Sequence, residues 1–388
     1  MKNNINKYIG KKIANRYFIT GEIGKGGMGR VFSAIPFDDP SQTVAIKVIF
    51  REQQISPEDL LRFQKEAALM SRLYHPNIIS FYELGLLNEE NNELNFEKNS
   101  GYYIVMEFAT GKNLKESLNR DSKKDISFFL QVAIQISSAL DYMHRKNIVH
   151  RDIKPQNIIV GNTPQDPKGL SVKVLDFGVS RLIEAMHLST NNNIGKKAFE
   201  DIAGTPLYMA PEQTSLMDAP VDHRVDLYSL GCVLYEVLAG HPPFMAKTRA
   251  QLEREHVYSK VPNLISIRAD IPPIISEIIT KLLQKHPDER YQTAFALYTD
   301  LLRIKRKLER KEHYQNINFP LAINDRFLSI SSKVPLLERK NELETLKQAY
   351  NMVAQPKGRA ILITINGKLG MGKTSILNEF KIYLSQKK

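Results

Sequence analysis

Residues 150–157 of this 388-residue chain read His-Arg-Asp-Ile-Lys-Pro-Gln-Asn. A carboxylate, Asp152, stands two residues before a cation, Lys154, and five before an amide, Asn157. Moving a phosphoryl group onto a hydroxyl needs those three groups together. The carboxylate takes the hydroxyl proton, the cation holds the moving phosphate, and the amide oxygen binds magnesium. Asp176-Phe177-Gly178 lies 24 residues after Asp152, directly behind the apolar run Val172–Leu175. A strand running into that triplet aims a carboxylate at a cleft, where Asp176 and Asn157 can bind one or two metal ions that also take phosphate oxygens.

The other half of such a reaction is a nucleotide. Gly24-Lys25-Gly26-Gly27-Met28-Gly29-Arg30-Val31 fits G-x-G-x-x-G-x-V. Dinucleotide-binding folds use the same glycines, but they need a helix directly after the last one. Here Val31–Ile35 alternates as a strand, so the loop reads as a hairpin tip whose bare backbone approaches phosphate oxygens. Lys47 follows Val44-Ala45-Ile46 on the next expected strand. Phe63, Glu66, Met70 and Leu73 fall on one helical stripe, and a charge inside an apolar stripe needs a partner. Lys47 is that partner for Glu66, and the pair would turn the ammonium toward the α- and β-phosphates. The run Ile104–Ala109 would cross between lobes, with backbone groups at Met106, Glu107 and Ala109 free to meet adenine. Ile23, Val31 and Ala45 would supply its apolar walls, and Met106 the back wall.

The elements that must position these groups follow from periodicity. Short β-branched and aromatic runs from Tyr17 to about Phe50, then around Ile78–Leu86 and Tyr102–Glu107, read as an antiparallel sheet. Ser56-Pro57-Glu58-Asp59 is a helix start, and the helix would run to about Leu73. Helical spacing dominates from Ile126 (Phe129, Val132, Ile136, Ala139, Leu140, Met143) to about Leu308. A small strand pair, Ile158–Val160 and Val172–Leu175, would flank the polar loop Gly161–Gly169. The expected fold class is α+β: a sheet-rich lobe and a helical lobe with a ligand cleft between them.

Composition sets bounds. The apolar share is 42%, charged residues make up 25%, and a single cysteine, Cys232, excludes an intrachain disulfide. Its apolar neighbours predict a buried thiol. Met1–Lys12 lacks the apolar region of a secretory signal, and the expected location is the cytoplasm. The net charge of +12 is spread out, apart from Arg303–Lys311, with no zinc-finger spacing or aromatic RNA-binding motif; nucleic acid is not an expected partner, and the run reads as a solvated helix end or linker.

Taken with Ala210-Pro211-Glu212 and Gly204-Thr205-Pro206, these motifs resemble the eukaryotic-like serine/threonine protein kinases over about residues 13–305, with lobes meeting near 108 and 109. The resemblance implies a bilobal kinase fold and transfer of the γ-phosphate of ATP, with Mg2+, to Ser/Thr hydroxyls of protein substrates. It assigns Lys154 and Thr205 to hydroxyl choice, Asp226 to anchoring the catalytic-loop backbone, and Arg290 to pairing with Glu212. Tyr228 departs from the family's usual Trp. Arg151 would await a phosphate on the segment Val179–Ala203, where Ser189 and Thr190 are candidate autophosphorylation sites. The alternative is an ATP-binding regulatory scaffold that signals through the C-terminal segment.

That segment, after a linker over 306–335, would start a second domain at 336–388. Glu338–Leu343 opens a helix, and Ile361–Ile365 reads as a buried strand before Gly367-Lys368-Leu369-Gly370-Met371-Gly372-Lys373-Thr374. This is G-x-x-x-x-G-K-T in a strand–loop–helix setting, resembling the start of an AAA-like P-loop ATPase; Gly367, Gly372, Lys373 and Thr374 would hold phosphate and magnesium. The chain ends 14 residues after Thr374, so a fragment of a longer protein is expected.

Overall fold

Strands β1 (Lys12–Ile13), β2 (Tyr17–Gly26), β3 (Gly29–Pro36), β4 (Val44–Arg51), β5 (Phe81–Leu87) and β6 (Ser100–Glu107) form one antiparallel sheet in the order β1-β2-β3-β4-β6-β5. The computed structural model describes residues 8–26, 29–51, 71, 73–87, 100–118, 124–163, 166–175, 206–310, 312, 314–325, 340–354, 360–366, 376–377, 380 and 383–384. The chain divides into two units, Met1–Arg326 and Phe327–Lys388.

Alternation along β4 sorts its side chains. Val44, Ile46 and Val48 join Phe32, Tyr103 and Val105 in a core on one face of the sheet. Ala45 and Ile49 join Ile104 and Met106 in the main core on the other. A period of two therefore puts Lys47 on the face of Ala45 and Ile49, where it is half-buried. The expected helix from Ser56 to about Leu73, with Glu66, lies almost wholly outside the described residues; at its end Ser71 sits in a turn and Leu73 outside any helix.

The helical lobe holds α1 (Leu114–Ser117), α2 (Ile126–Arg145), α3 (Arg224–Ala239), α4 (Arg249–Tyr258), α5 (Leu264–Ile267), α6 (Pro273–Leu282) and α7 (Ala294–Glu309). Asp125 caps α2 by accepting from the Phe128 N–H. Phe129, Val132, Ile136, Ala139, Leu140 and Met143 form the buried stripe of α2. Its length and apolar content would suit a bilayer, but that stripe lies in the main core. Helix α3 is buried on nearly every side and ends at Gly240, whose φ of 81° is the left-handed cap that favours glycine. Cys232 lies inside it; burial pushes its thiol far above the usual range, which makes it unreactive.

Three expectations need correction. The pair after the catalytic loop is longer than predicted: β8 (Ile158–Thr163) and β9 (Asp166–Val174) form a hairpin through most of the stretch read as a loop, and β7 (Lys112–Asn113) pairs with β8. Pairing with a neighbour supplies backbone partners that the polar composition hid. Residues 306–335, expected as linker, include the end of α7, and the chain from 314 to 325 packs on the helical lobe with Ile317 and Phe319 buried. Two apolar residues two apart were the only hint. Within the basic run, Ile304 is buried while Lys305 and Arg306 face solvent, as a helix end predicts.

In the second unit, α8 (Lys340–Val353) forms where a helix was expected, and Tyr350 meets Tyr383 edge to face at 6.2 Å. The third correction concerns Ile361–Ile365. Residues 360–366 have no regular structure, and Leu362 is 92% exposed. A buried strand needs hydrogen-bonded neighbours, and among the described residues of this unit there is no second strand. The motif itself, with Gly367, Gly372, Lys373 and Thr374, lies outside the described residues.

Candidate active site

The stretch 150–157 is shaped by one buried carboxylate on α3. Asp226, fully buried, accepts the N–H of His150 at 2.8 Å, the N–H of Arg151 at 2.7 Å and Nε2–H of His144 at 2.9 Å. Burial alone would raise its pKa; the His144 bond and charge, with the His150 amide, outweigh that and hold it below the usual carboxylate range. Two successive amides aimed at one side chain demand a tight bend, and Arg151 takes it up with a φ of 65°, rare for a residue with a side chain. The anchoring role expected of Asp226 is met in this geometry.

His150 then ties the bend to β9. Its Nδ1 accepts from the Asp152 N–H at 3.2 Å, and its Nε2–H donates to the Leu175 carbonyl at 2.8 Å, a neutral tautomer with both nitrogens used. The Leu175 N–H bonds the Asn157 carbonyl at 2.8 Å. Leu175 is the residue before Asp176, so the catalytic bend and the chain entering Asp-Phe-Gly share one hydrogen-bonded frame. Asp176 itself lies outside the described residues.

Three predicted groups meet. Lys154 Nζ lies 2.7 Å from Asp152 Oδ2, and Asn157 Nδ2 donates to that same oxygen and to the Asp152 carbonyl, each at 2.9 Å. Both amide hydrogens of Asn157 are thus spent on Asp152. Its Oδ1 has no donor among the described residues, which is the oxygen donor that a hard cation such as magnesium prefers. Asp152 Oδ1 has no partner among the described residues.

The nucleotide end is a hairpin, as predicted: β2 and β3 pair from Tyr17↔Pro36 to Gly26↔Gly29, and Gly24 faces Val31. Gly29 has a φ of 156°, and a Cβ there would run into the Val48 carbonyl oxygen, so only glycine fits. Lys25 and Gly26 belong to β2, while Gly27 and Met28 lie outside the described residues. Ala45 pairs with Met106, and Lys47 with Val31 and Ile104, which brings the predicted wall residues and the lysine onto neighbouring strands. Ile23 is 51% exposed and Val31 half-buried at the hairpin. Glu107 departs in part from its predicted use. Its N–H is spent on the Ser80 carbonyl at 2.8 Å, and its carboxylate on Lys173 and the Ser80 N–H. Only its carbonyl is left for a ligand, while Ala109 follows in a stretch outside regular strands. Thr205, Ser189 and Thr190 lie outside the described residues.

Behind the site, Arg290 and Glu212 form a two-pronged ion pair at 2.6 and 2.7 Å with both side chains fully buried. Tyr228 donates to or accepts from His256 Nδ1 at 2.9 Å, a partnership open to Tyr because its polar atom sits at the end of the ring. Sequence reasoning missed His144 and His256. Neither belongs to a motif quoted above, and a lone His on a helix gives no local signal of its partner.

His256 supplies a pH test. Burial, then the Lys285 charge, lowers its pKa to about 4, and its Nε2 is buried with no hydrogen-bond partner. An unfolded chain binds the proton near pH 6.5, so stability is full above that value and falls as pH drops through the window toward 4. The loss between pH 7 and pH 5 should be about 2 kcal/mol from this group. Urea unfolding at the two pH values measures it. His256→Gln should shrink the difference; an unchanged difference would assign the acid sensitivity elsewhere.

The sequence profile of the protein kinase domain matches residues 17–302. The chain belongs to the protein kinase family. It is 32% identical over 318 residues to a probable serine/threonine-protein kinase of Clostridium acetobutylicum, covering 82% of this chain and 44% of that protein. It is 34% identical to the serine/threonine-protein kinases PknB of Mycolicibacterium smegmatis (75% of this chain, 43% of that one) and PrkC of Bacillus subtilis (76% and 41%). The chain thus spans less than half the length of these relatives. Among solved structures, the PknI kinase domain of Mycobacterium tuberculosis superposes with a TM-score of 0.54 at 21% identity over 76% of this chain and 97% of that one, which bears on the fold alone. Rad53 in complex with AMP-PNP superposes with a TM-score of 0.54 at 26% identity, covering 73% and 64%.

Proposed function

We propose that the first unit transfers the γ-phosphate of ATP to Ser or Thr hydroxyls of protein substrates, with magnesium. The observation that carries this reading is the Asp152–Lys154–Asn157 cluster, held by Asp226 and joined through Leu175 to the strand that leads into Asp176. Asp152 Oδ1 accepts the proton of the attacking hydroxyl. Lys154, already seated on Asp152 Oδ2, holds the migrating phosphate beside that hydroxyl. Asn157 Oδ1 and the carboxylate of Asp176 are the metal donors. Magnesium, when bound, neutralises charge on the phosphate oxygens. Lys47, on the Ala45 face of β4, orients the phosphates, with Glu66 as its partner. Most of the acceleration comes from positioning and charge complementarity.

Support for the serine/threonine class comes from Lys154, two residues after Asp152, and from the likeness to serine/threonine-protein kinases of Clostridium acetobutylicum and Mycolicibacterium smegmatis. Ser189 and Thr190 are proposed acceptors for autophosphorylation, with Arg151 as the cation that receives the phosphate. A second phosphate-binding segment at Gly367–Thr374 is supported by its spacing alone.

Transfer of labelled phosphate from ATP to a generic basic protein tests the proposal. Lys47→Met should reduce incorporation to background with an unchanged thermal midpoint. A Lys47→Met chain with full activity would make the lysine structural only. A wild-type chain that binds nucleotide and transfers nothing would favour the scaffold alternative.

A further inference from the structure

The Asp226 anchor depends on His144, and His144 is oddly held. Its side chain is 8% exposed, its Nε2–H bonds Asp226, and its Nδ1 is buried with no hydrogen-bond partner. A ring held by one hydrogen bond can swivel about that bond. What fixes it is a second ring: His223 meets His144 edge to face, with centroids 5.1 Å apart and planes at 65°. His223 in turn donates Nε2–H to the Gln292 carbonyl at 2.8 Å. The N–H of the same Gln292 donates to Asp325 Oδ2 at 2.6 Å, and the Thr293 hydroxyl donates to Asp325 Oδ1 at 3.0 Å.

Asp325 lies beyond the stretch that matches the kinase domain, at the end of the strap 314–325. The strap is docked at several points. Ile317 and Phe319 are buried, Arg303 lies over the Phe319 ring at 4.3 Å, and the Ala322 N–H bonds Asp300 at 2.8 Å. Ala322 adopts a φ of 61°, and the Asp325 N–H bonds back to its carbonyl at 2.9 Å, so the strap ends in a turn that presents the Asp325 carboxylate to the start of α7.

We propose that Asp325 is a positioning residue for the catalytic loop: through Gln292, His223 and His144 it fixes the carboxylate of Asp226 that holds the amides of His150 and Arg151. Each link is a hydrogen bond or a ring contact between buried or half-buried groups, and Gln292 is the pivot because its N–H meets Asp325 while its C=O meets His223. Without Asp325 the Gln292 N–H and the Thr293 hydroxyl lose their acceptor, the backbone on both sides of the Gln292 carbonyl is freed while the Gln292 side chain stays on Arg224, and that carbonyl shifts against His223 Nε2. The His144 ring then loses its lateral stop, and the bend at Arg151, which needs both amides bound, relaxes. The effect on turnover rests on Asp152 as proton acceptor; the effect on the loop does not.

The test uses the full 388-residue chain with Asp325→Ala. Amide hydrogen exchange at His150 and Arg151 should quicken by about 3- to 30-fold, with kcat falling by a similar factor and KM for ATP unchanged. Arg303→Ala, which strips the ring contact on the strap without touching Asp325, should lower the thermal midpoint and leave both amides protected. His223→Leu should match Asp325→Ala, and the double variant should show no further loss, since both cut one chain. If Asp325→Ala does not fold, Asp325→Asn, which keeps one acceptor, and His223→Leu carry the same comparison. A lower midpoint with unchanged exchange at His150 and Arg151 would overturn the proposal, as would additive losses. Faster exchange with no phosphate transfer even in the parent chain would uphold the positioning role and reject the kinase reading instead.

Discussion

Asp152→Asn should lower kcat by roughly 10²–10⁴-fold, the range a positioned general base contributes. The amide cannot take the hydroxyl proton. It also meets the Lys154 ammonium and one Asn157 Nδ2 hydrogen with one acceptor instead of a carboxylate. The fold should be untouched, because the bend is held by Asp226 through the amides of His150 and Arg151 rather than by the Asp152 side chain. Steady-state phosphate transfer, with thermal midpoints as a control, checks both statements. Turnover equal to the parent chain would remove Asp152 from the chemistry.

Arg290→Ala should cost about 3–5 kcal/mol of stability, because it leaves the Glu212 carboxylate charged and buried without a partner. The arginine also donates to the carbonyls of Gln284, Lys285 and Arg224, so the loss is not confined to one pair. A loss this size is a large fraction of what a domain has to spare. Denaturant unfolding measures it. The double variant Glu212→Leu/Arg290→Met should recover only part of the loss: it removes the stranded charge but leaves three carbonyls without their donor. A single variant within about 1 kcal/mol of the parent would show that the site collapses or hydrates at little cost.

Much of the site was legible because phosphate chemistry constrains residue types at short spacing. Asp152, Lys154 and Asn157 lie within six residues, and one tight bend brings them together. The strand pattern of β2 to β4 and the hairpin at Gly24–Gly29 were legible for a similar reason: alternation and glycine report local backbone geometry. What failed locally was pattern without a neighbour. Ile361–Ile365 has strand composition, yet composition supplies no partner for its backbone groups, and Leu362 is left exposed. The stretch after 306 failed in the opposite direction. Its polar sequence hid Ile317 and Phe319, which find a surface only once α7 is in place.

The order of motifs along the chain was enough to place it in the protein kinase family, to expect the sheet-rich and helical lobes and to propose Asp152 as proton acceptor, since each depends on residue type and near spacing. Only the tertiary structure decided that Glu107 spends its side chain on Lys173, that His144 holds Asp226, and that Asp325 closes on the start of α7. Those contacts join residues 66, 82 and 33 positions apart. Their energy comes from burying and satisfying polar groups together, and no local pattern reports which distant partner a polar group will meet.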